Sequence, residues 1–197
     1  MEVAYGLRGL EVRNVSVRYF SARRRRGSPE PEGVAVDDVS LRLEPTQTLA
    51  LLGPSGCGKS SLLRAIAGLE PLASGAILWN GQDLARVPPH QRGFGLLFQD
   101  GQLFPHRNVA RNISYGLEAS GIPRAERAQR IAELLELVGL TGYGERAITE
   151  LSGGQRQRVA LARALAPRPR LLSSPVPGLS TAEVCRGPNL TWLPSRR

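Results

Sequence analysis

Lysine is almost missing from this 197-residue chain: Lys59 stands alone beside 25 arginines, in a sequence of net charge +9. Long hydrophobic runs are missing too, since no stretch of 18 or more apolar residues occurs, and no segment is expected to cross a bilayer as a helix. Met1 to Gly6 lacks a basic region followed by an apolar stretch, so no secretory signal is expected there. Two cysteines, Cys57 and Cys185, are too few and too far apart for a disulfide framework or a metal site. The two histidines, His90 and His106, gather no ligand cluster; His90 follows Pro88-Pro89 as a solvent-facing loop residue. Aromatics make up only 5% of the chain, so the positive charge lacks the rings that stack on single-stranded nucleic acid, and no nucleic-acid partner is expected. The one dense basic cluster, Arg23 to Arg26, runs into Gly27-Ser28-Pro29-Glu30-Pro31-Glu32-Gly33. That composition reads as a solvated loop, with contact to acidic lipid headgroups as the alternative.

What is present is enough apolar material, 41%, for one globular domain. The single lysine closes Gly53-Pro54-Ser55-Gly56-Cys57-Gly58-Lys59-Ser60-Ser61, which fits the phosphate-binding pattern G-x-x-x-x-G-K-[ST]. The apolar run Thr48 to Leu52 before it reads as a fully buried parallel strand. Leu62, Leu63, Ile66 and Leu69 after it recur at helical spacing, with Gly68 as the stop. Strand, glycine loop and helix therefore stand in the order that lets backbone N–H groups and a helix N-terminus converge on phosphate oxygens. Lys59 is expected to reach the β- and γ-phosphates of a nucleoside triphosphate, and the Ser60 hydroxyl to ligate Mg²⁺. Cys57, inside this loop, fits a reducing cytoplasm.

A second polar loop, Leu151-Ser152-Gly153-Gly154-Gln155, precedes a helix-forming stretch from Arg156 to Leu165. Two such loops about 100 residues apart are unusual for one bound nucleotide. Here the chain resembles the ATP-binding cassette family, whose signature reads LSGGQ. The resemblance implies an α/β fold: a mainly parallel sheet with helices, a small antiparallel β region and a helical subdomain at approximately 100–152. It implies ATP and Mg²⁺ as cofactors, and Ser152, Gly153, Gly154 and Gln155 touching ATP held by a partner subunit in a head-to-tail dimer. Gln99 becomes the family's Mg²⁺-supporting glutamine, and Tyr19 the aromatic that stacks on adenine, with Phe20 as the alternative. Gln99 to His106 and Asn112 to Leu117 look like import-type cassettes for ferric iron, thiamine, polyamine or sulfate, which makes His106 a surface contact residue. Transmembrane permease subunits, and a place on the cytoplasmic face of the cell membrane, follow from the same resemblance. Between the motifs, Ile131, Leu134, Leu135 and Val138 mark a helix ended by Gly139, with Glu126 and Arg130 as a supporting pair.

The resemblance stops after Leu172. The family continues with an apolar strand and then Asp-Glu-Pro, whereas this chain reads Leu171-Leu172-Ser173-Ser174-Pro175-Val176-Pro177. The carboxylates that support Mg²⁺ and activate water have no counterpart here, and neither has the switch histidine, so no catalytic residue is identified. Residues 1–172 are expected to form an incomplete ATP-binding domain and 173–197 a disordered tail, with a shift of reading frame near Leu172 as the cause. A chain that binds nucleotide without turning it over is the alternative to a working transport ATPase.

Overall fold

The computed structural model describes residues 9–20, 31–97, 102–176 and 179–184. The chain divides into two compact units, one of Met1–Arg92 with Gly178–Arg197 and one of Gly93–Pro177.

In the first unit, strands β1 (Leu10–Phe20), β2 (Pro31–Leu43), β4 (Ser74–Trp79) and β5 (Gln82–Asp83) form an antiparallel sheet in the order β2-β1-β4-β5. Asn80 and Gly81, both at positive φ, make the two-residue turn that brings Gln82 opposite Trp79. This is the backbone geometry a tight hairpin needs, and Asn-Gly supplies it at little strain. Helix α1 (Lys59–Ala67) buries Leu62, Leu63 and Ile66; β1 buries Leu10, Val12, Val15 and Val17. Gly68 ends α1 in the left-handed conformation, as the sequence predicts. Arg92 then completes the terminus: its guanidinium donates to the carbonyls of Ile66 (2.8 Å), Leu84 (2.9 Å) and Val87 (2.9 Å). A cation on the last carbonyls of a helix is favourably placed against the helix dipole, so Arg92 ties the base of α1 to the following loop.

Strand β3 (Thr48–Leu52) departs from expectation. It is not a fully buried parallel strand; it pairs antiparallel with β8 (Leu179–Val184), and its side chains alternate between exposed and half-buried, with Leu52 75% exposed. Its partner comes from the sequence after Leu172, where Leu179, Ser180, Thr181, Ala182 and Glu183 pair with Leu52 back to Thr48, a composition unlike that of a fully buried parallel sheet. The expected tail from residue 173 is likewise corrected where it is described: β7 (Leu171–Val176) runs past Ser173, and β8 is a strand. Residues 177–178 and 185–197, like the arginine cluster Arg23–Arg26, lie outside the described residues.

In the second unit β6 (Phe94–Leu96) pairs parallel with β7, but only through Leu171, Leu172 and Ser173. Pairing in register ends two residues before Pro175, which has no N–H to contribute. Helices α2 (Val109–Ala119), α3 (Arg124–Leu137) and α4 (Gly153–Leu165) pack around Val109, Ile113, Leu134, Leu140, Val159 and Leu165. Asn112 is fully buried and fully used: its amide donates to the carbonyls of Phe104, Arg107 and Asn108, and its oxygen accepts from the Phe104 N–H at 2.8 Å. One side chain thus fixes the loop that enters α2, because leaving any of these buried groups unpaired is costly. The α3 ion pair differs from expectation: Arg130 meets Glu133 at 3.2 Å rather than Glu126. Its other terminal nitrogen donates to the Leu165 carbonyl at the end of α4 at 3.2 Å.

Candidate phosphate-binding and signature loops

The glycine loop lies in the first unit between β3 and α1. Gly58 is the N-cap of α1, at φ 89°, and no side chain caps that terminus; no acidic residue sits in the first turn either. The first N–H groups of α1 therefore have no intrahelical or side-chain partner, which is the arrangement that receives an anion. A Cβ on Gly58 would lie 1.8 Å from the carbonyl oxygen of Ala35 in β2, so the loop is pressed against the neighbouring strand and only glycine fits. Gly56, at φ 83°, meets nothing within 4 Å, so it serves the curl of the loop rather than a contact. Lys59 folds back across the loop, donating to the carbonyls of Gly53 (2.7 Å) and Pro54 (2.8 Å), with the Cys57 sulfur at 3.3 Å. The ammonium is thus held on the carbonyls that begin the loop, while Lys59 itself is the first residue of α1. Pro54, Ser55, Cys57 and Ser60 are exposed, and Ser61 is buried.

Tyr19, from β1, comes to this loop across 42 residues of sequence: its hydroxyl stands 2.5 Å from the Ser61 hydroxyl. Tyr19 as a whole residue is 43% exposed. Arg64 donates to the Tyr19 oxygen at 3.4 Å and to Glu70 at 2.6 Å. Burial works to lower the Arg64 pKa, but the hydrogen bonds to Tyr19 and Glu70 outweigh it and hold the pKa above its ordinary value. The side chain of Phe20, and Gln99 altogether, lie outside the described residues. Arg64 and Glu70 carried no functional signal in the sequence, because the partner that gives them one is distant along the chain.

The signature loop lies in the second unit. Ser152 caps α4: its hydroxyl accepts from the Gln155 N–H at 3.3 Å, and the Gln155 side-chain oxygen accepts from the Ser152 N–H at 2.8 Å. This reciprocal capping box follows the S-x-x-Q pattern and fixes where the helix begins. Gly153 and Gly154 sit in the first turn of α4, outside the positive-φ glycines, and a Cβ on either meets nothing within 4 Å. Neither backbone conformation nor internal packing requires glycine at these two positions. His90 and His106 are both exposed, with His106 beside the Phe104 ring at 6.0 Å. Among the described residues no group of three or more His, Cys, Asp or Glu is placed to hold a metal ion, and no helix is long and apolar enough to cross a membrane.

A glycine loop that opens a helix, with its lysine folded back onto the loop carbonyls, defines a P-loop fold. The ABC transporter family model matches residues 36–173, and the chain belongs to that family. The match ends one residue beyond Leu172, where the sequence leaves the family pattern. Among curated relatives, the Fe(3+) ions import ATP-binding protein of Streptomyces avermitilis is 56% identical over 137 residues, covering 70% of this chain and 40% of the relative. The putrescine transport ATP-binding protein of Escherichia coli is 47% identical over 163 residues, covering 83% and 40%. The chain therefore spans about two fifths of the length of the curated relatives it matches. Among solved structures, a dimeric ATP-binding cassette in a post-hydrolysis state with ADP and phosphate superposes with a TM-score of 0.70 at 26% identity, over 84% of this chain and 72% of that one.

Proposed function

We propose that this chain is the nucleotide-gripping part of the ATP-binding subunit of an importer. The observation that carries the reading is the uncapped N-terminus of α1, whose first residue, Lys59, has its ammonium on the loop carbonyls. Its N–H groups and the lysine receive the triphosphate of ATP, as P-loop backbones and lysines do. Ser60, which is exposed, and Gln99 are the Mg²⁺ ligands. Mg²⁺ supplies neutralisation of phosphate charge, and a serine hydroxyl and an amide oxygen suit such a hard cation. The ring of the exposed Tyr19 takes the adenine face.

The signature loop serves a second ATP. Glycine in a helical first turn costs up to about 1 kcal/mol relative to alanine, and nothing within the chain calls for it at Gly153 or Gly154. The bare backbone is instead suited to close approach from outside, by the phosphate held in a second copy or a paired subunit. Permease subunits and the cytoplasmic membrane face complete the importer reading, on the strength of relatives whose names describe import ATP-binding proteins.

A second reading, nucleotide binding without turnover, is favoured by β7. After Leu171 and Leu172 that strand carries Ser173, Ser174 and Pro175, none able to act as a carboxylate base.

Replacing Gly154 by Ala separates these interactions from folding. The variant is expected to be as stable as the parent, or more stable by up to about 1 kcal/mol, and to lose the dimer that Mg²⁺-ATP induces in the parent. Light scattering with and without Mg²⁺-ATP reads the dimer, and urea unfolding reads stability. A parent chain that binds ATP yet stays monomeric at every ATP concentration would refute the signature-loop role.

A further inference from the structure

Around Tyr19 the structure closes a small polar network that the nucleotide reading does not account for. The Tyr19 hydroxyl is held from three sides: by Ser61 of α1 at 2.5 Å, by the Arg64 guanidinium at 3.4 Å, and by a Glu70 carboxylate oxygen at 3.5 Å. Arg64 is itself fixed by Glu70, through a charge-assisted bond of 2.6 Å. The Glu70 side chain is mostly buried, at 16% exposure, so the carboxylate is a firm anchor rather than a surface partner. The chemistry of the hydroxyl fits this setting. It accepts from Arg64, whose guanidinium can only donate, and keeps one proton to give to Ser61 or Glu70. Tyr19 as a whole residue nonetheless remains 43% exposed.

We propose that Arg64 and Glu70 are positioning residues for base recognition: through the Tyr19 hydroxyl they hold the ring in the orientation in which it receives a purine. This rests on the reading that Tyr19 stacks on adenine, and adds what fixes the ring. An exposed tyrosine on a strand samples several rotamers, and ordering it on binding costs affinity. A ring already tied at its far end gives that cost up in advance. The network also joins base to phosphate, because Ser61 follows the Mg²⁺-binding Ser60 directly and Arg64 lies one helical turn further along α1.

Affinities for ATP and for inorganic tripolyphosphate, both with Mg²⁺, test this in the full chain and in Tyr19→Ala, Tyr19→Phe, Arg64→Met and the Tyr19→Ala/Arg64→Met pair. Tyr19→Phe keeps the ring and removes only the tether. It and Arg64→Met are each expected to weaken ATP about 3- to 10-fold, the cost of ordering one side chain, while leaving tripolyphosphate unchanged. In the double variant Arg64→Met should add nothing to the loss caused by Tyr19→Ala. An equal loss for ATP and tripolyphosphate in Arg64→Met would mean that Arg64 supports α1 and not the ring, and overturns the proposal. So does a Tyr19→Phe variant, folded by its thermal melt, that binds ATP as the parent does while Tyr19→Ala binds it weakly. If Tyr19→Ala itself binds ATP undiminished, the stacking reading fails, and the positioning role falls with it.

Discussion

Mixed with Mg²⁺-ATP, this chain is expected to turn over nucleotide about 10²–10⁴-fold more slowly than an intact cassette assayed beside it, because that is the usual contribution of a positioned general base. The reason is local to β7. The strand begins as the family's does, buries Leu171, and pairs with β6 through Ser173. Where the family's apolar strand runs on into its two acids, this chain turns to Ser173, Ser174, Pro175 and Val176, and none of them carries a carboxylate. Ser173 is also buried, at 2% exposure, so it presents no group to solvent or substrate. Phosphate contacts and Lys59 remain, so binding should survive the loss of chemistry. Phosphate release followed over hours, with a parallel measurement of bound ATP, distinguishes slow chemistry from failed binding. Turnover within a few-fold of the intact cassette would show that another group activates water.

The second large effect is expected at Gly58. Replacing Gly56 by Ala places a side chain in a left-handed conformation with open space around it, and should cost about 1–2 kcal/mol of stability from backbone strain alone. Gly58→Ala carries the same strain, and in addition drives a Cβ to 1.8 Å from the Ala35 carbonyl oxygen. The loop and β2 must then part, which disrupts the start of α1 and the packing of Leu62 and Leu63 beneath it. Urea unfolding should show Gly58→Ala to be destabilised well beyond Gly56→Ala, or unfolded outright. Equal midpoints for the two variants would mean that the loop does not press on β2 as the structure has it.

How much of this was legible depended on distance along the chain. The glycine loop, α1 and its stop at Gly68 were readable because every determinant lies within 16 residues of Gly53. The signature loop was readable as a helix start, although its serine and glutamine cap each other, a pairing encoded in the S-x-x-Q spacing itself. The surroundings of β3 were not readable. Its apolar run fits a buried strand, but burial requires neighbours, and the sequence after Leu172 brings up β8 instead. The α3 pair was misjudged because Arg130 has acids at helical spacing on both sides, Glu126 and Glu133, and spacing alone does not choose between them. The tether on Tyr19 depends on residues 42 to 51 positions away, which no local pattern announces.

The central claim is that Lys59, with the open N-terminus of α1, grips a triphosphate. Equilibrium binding of Mg²⁺-ATP to the parent chain and to Lys59→Ala tests it most directly. Hydrogen bonds from a charged group contribute about 1.5–3 kcal/mol, so the variant should bind about 10- to 150-fold more weakly. Mg²⁺-tripolyphosphate should suffer the same proportional loss, since the lysine acts on phosphate alone. Undiminished ATP affinity in Lys59→Ala would contradict the account, and so would a parent chain that folds but binds no ATP.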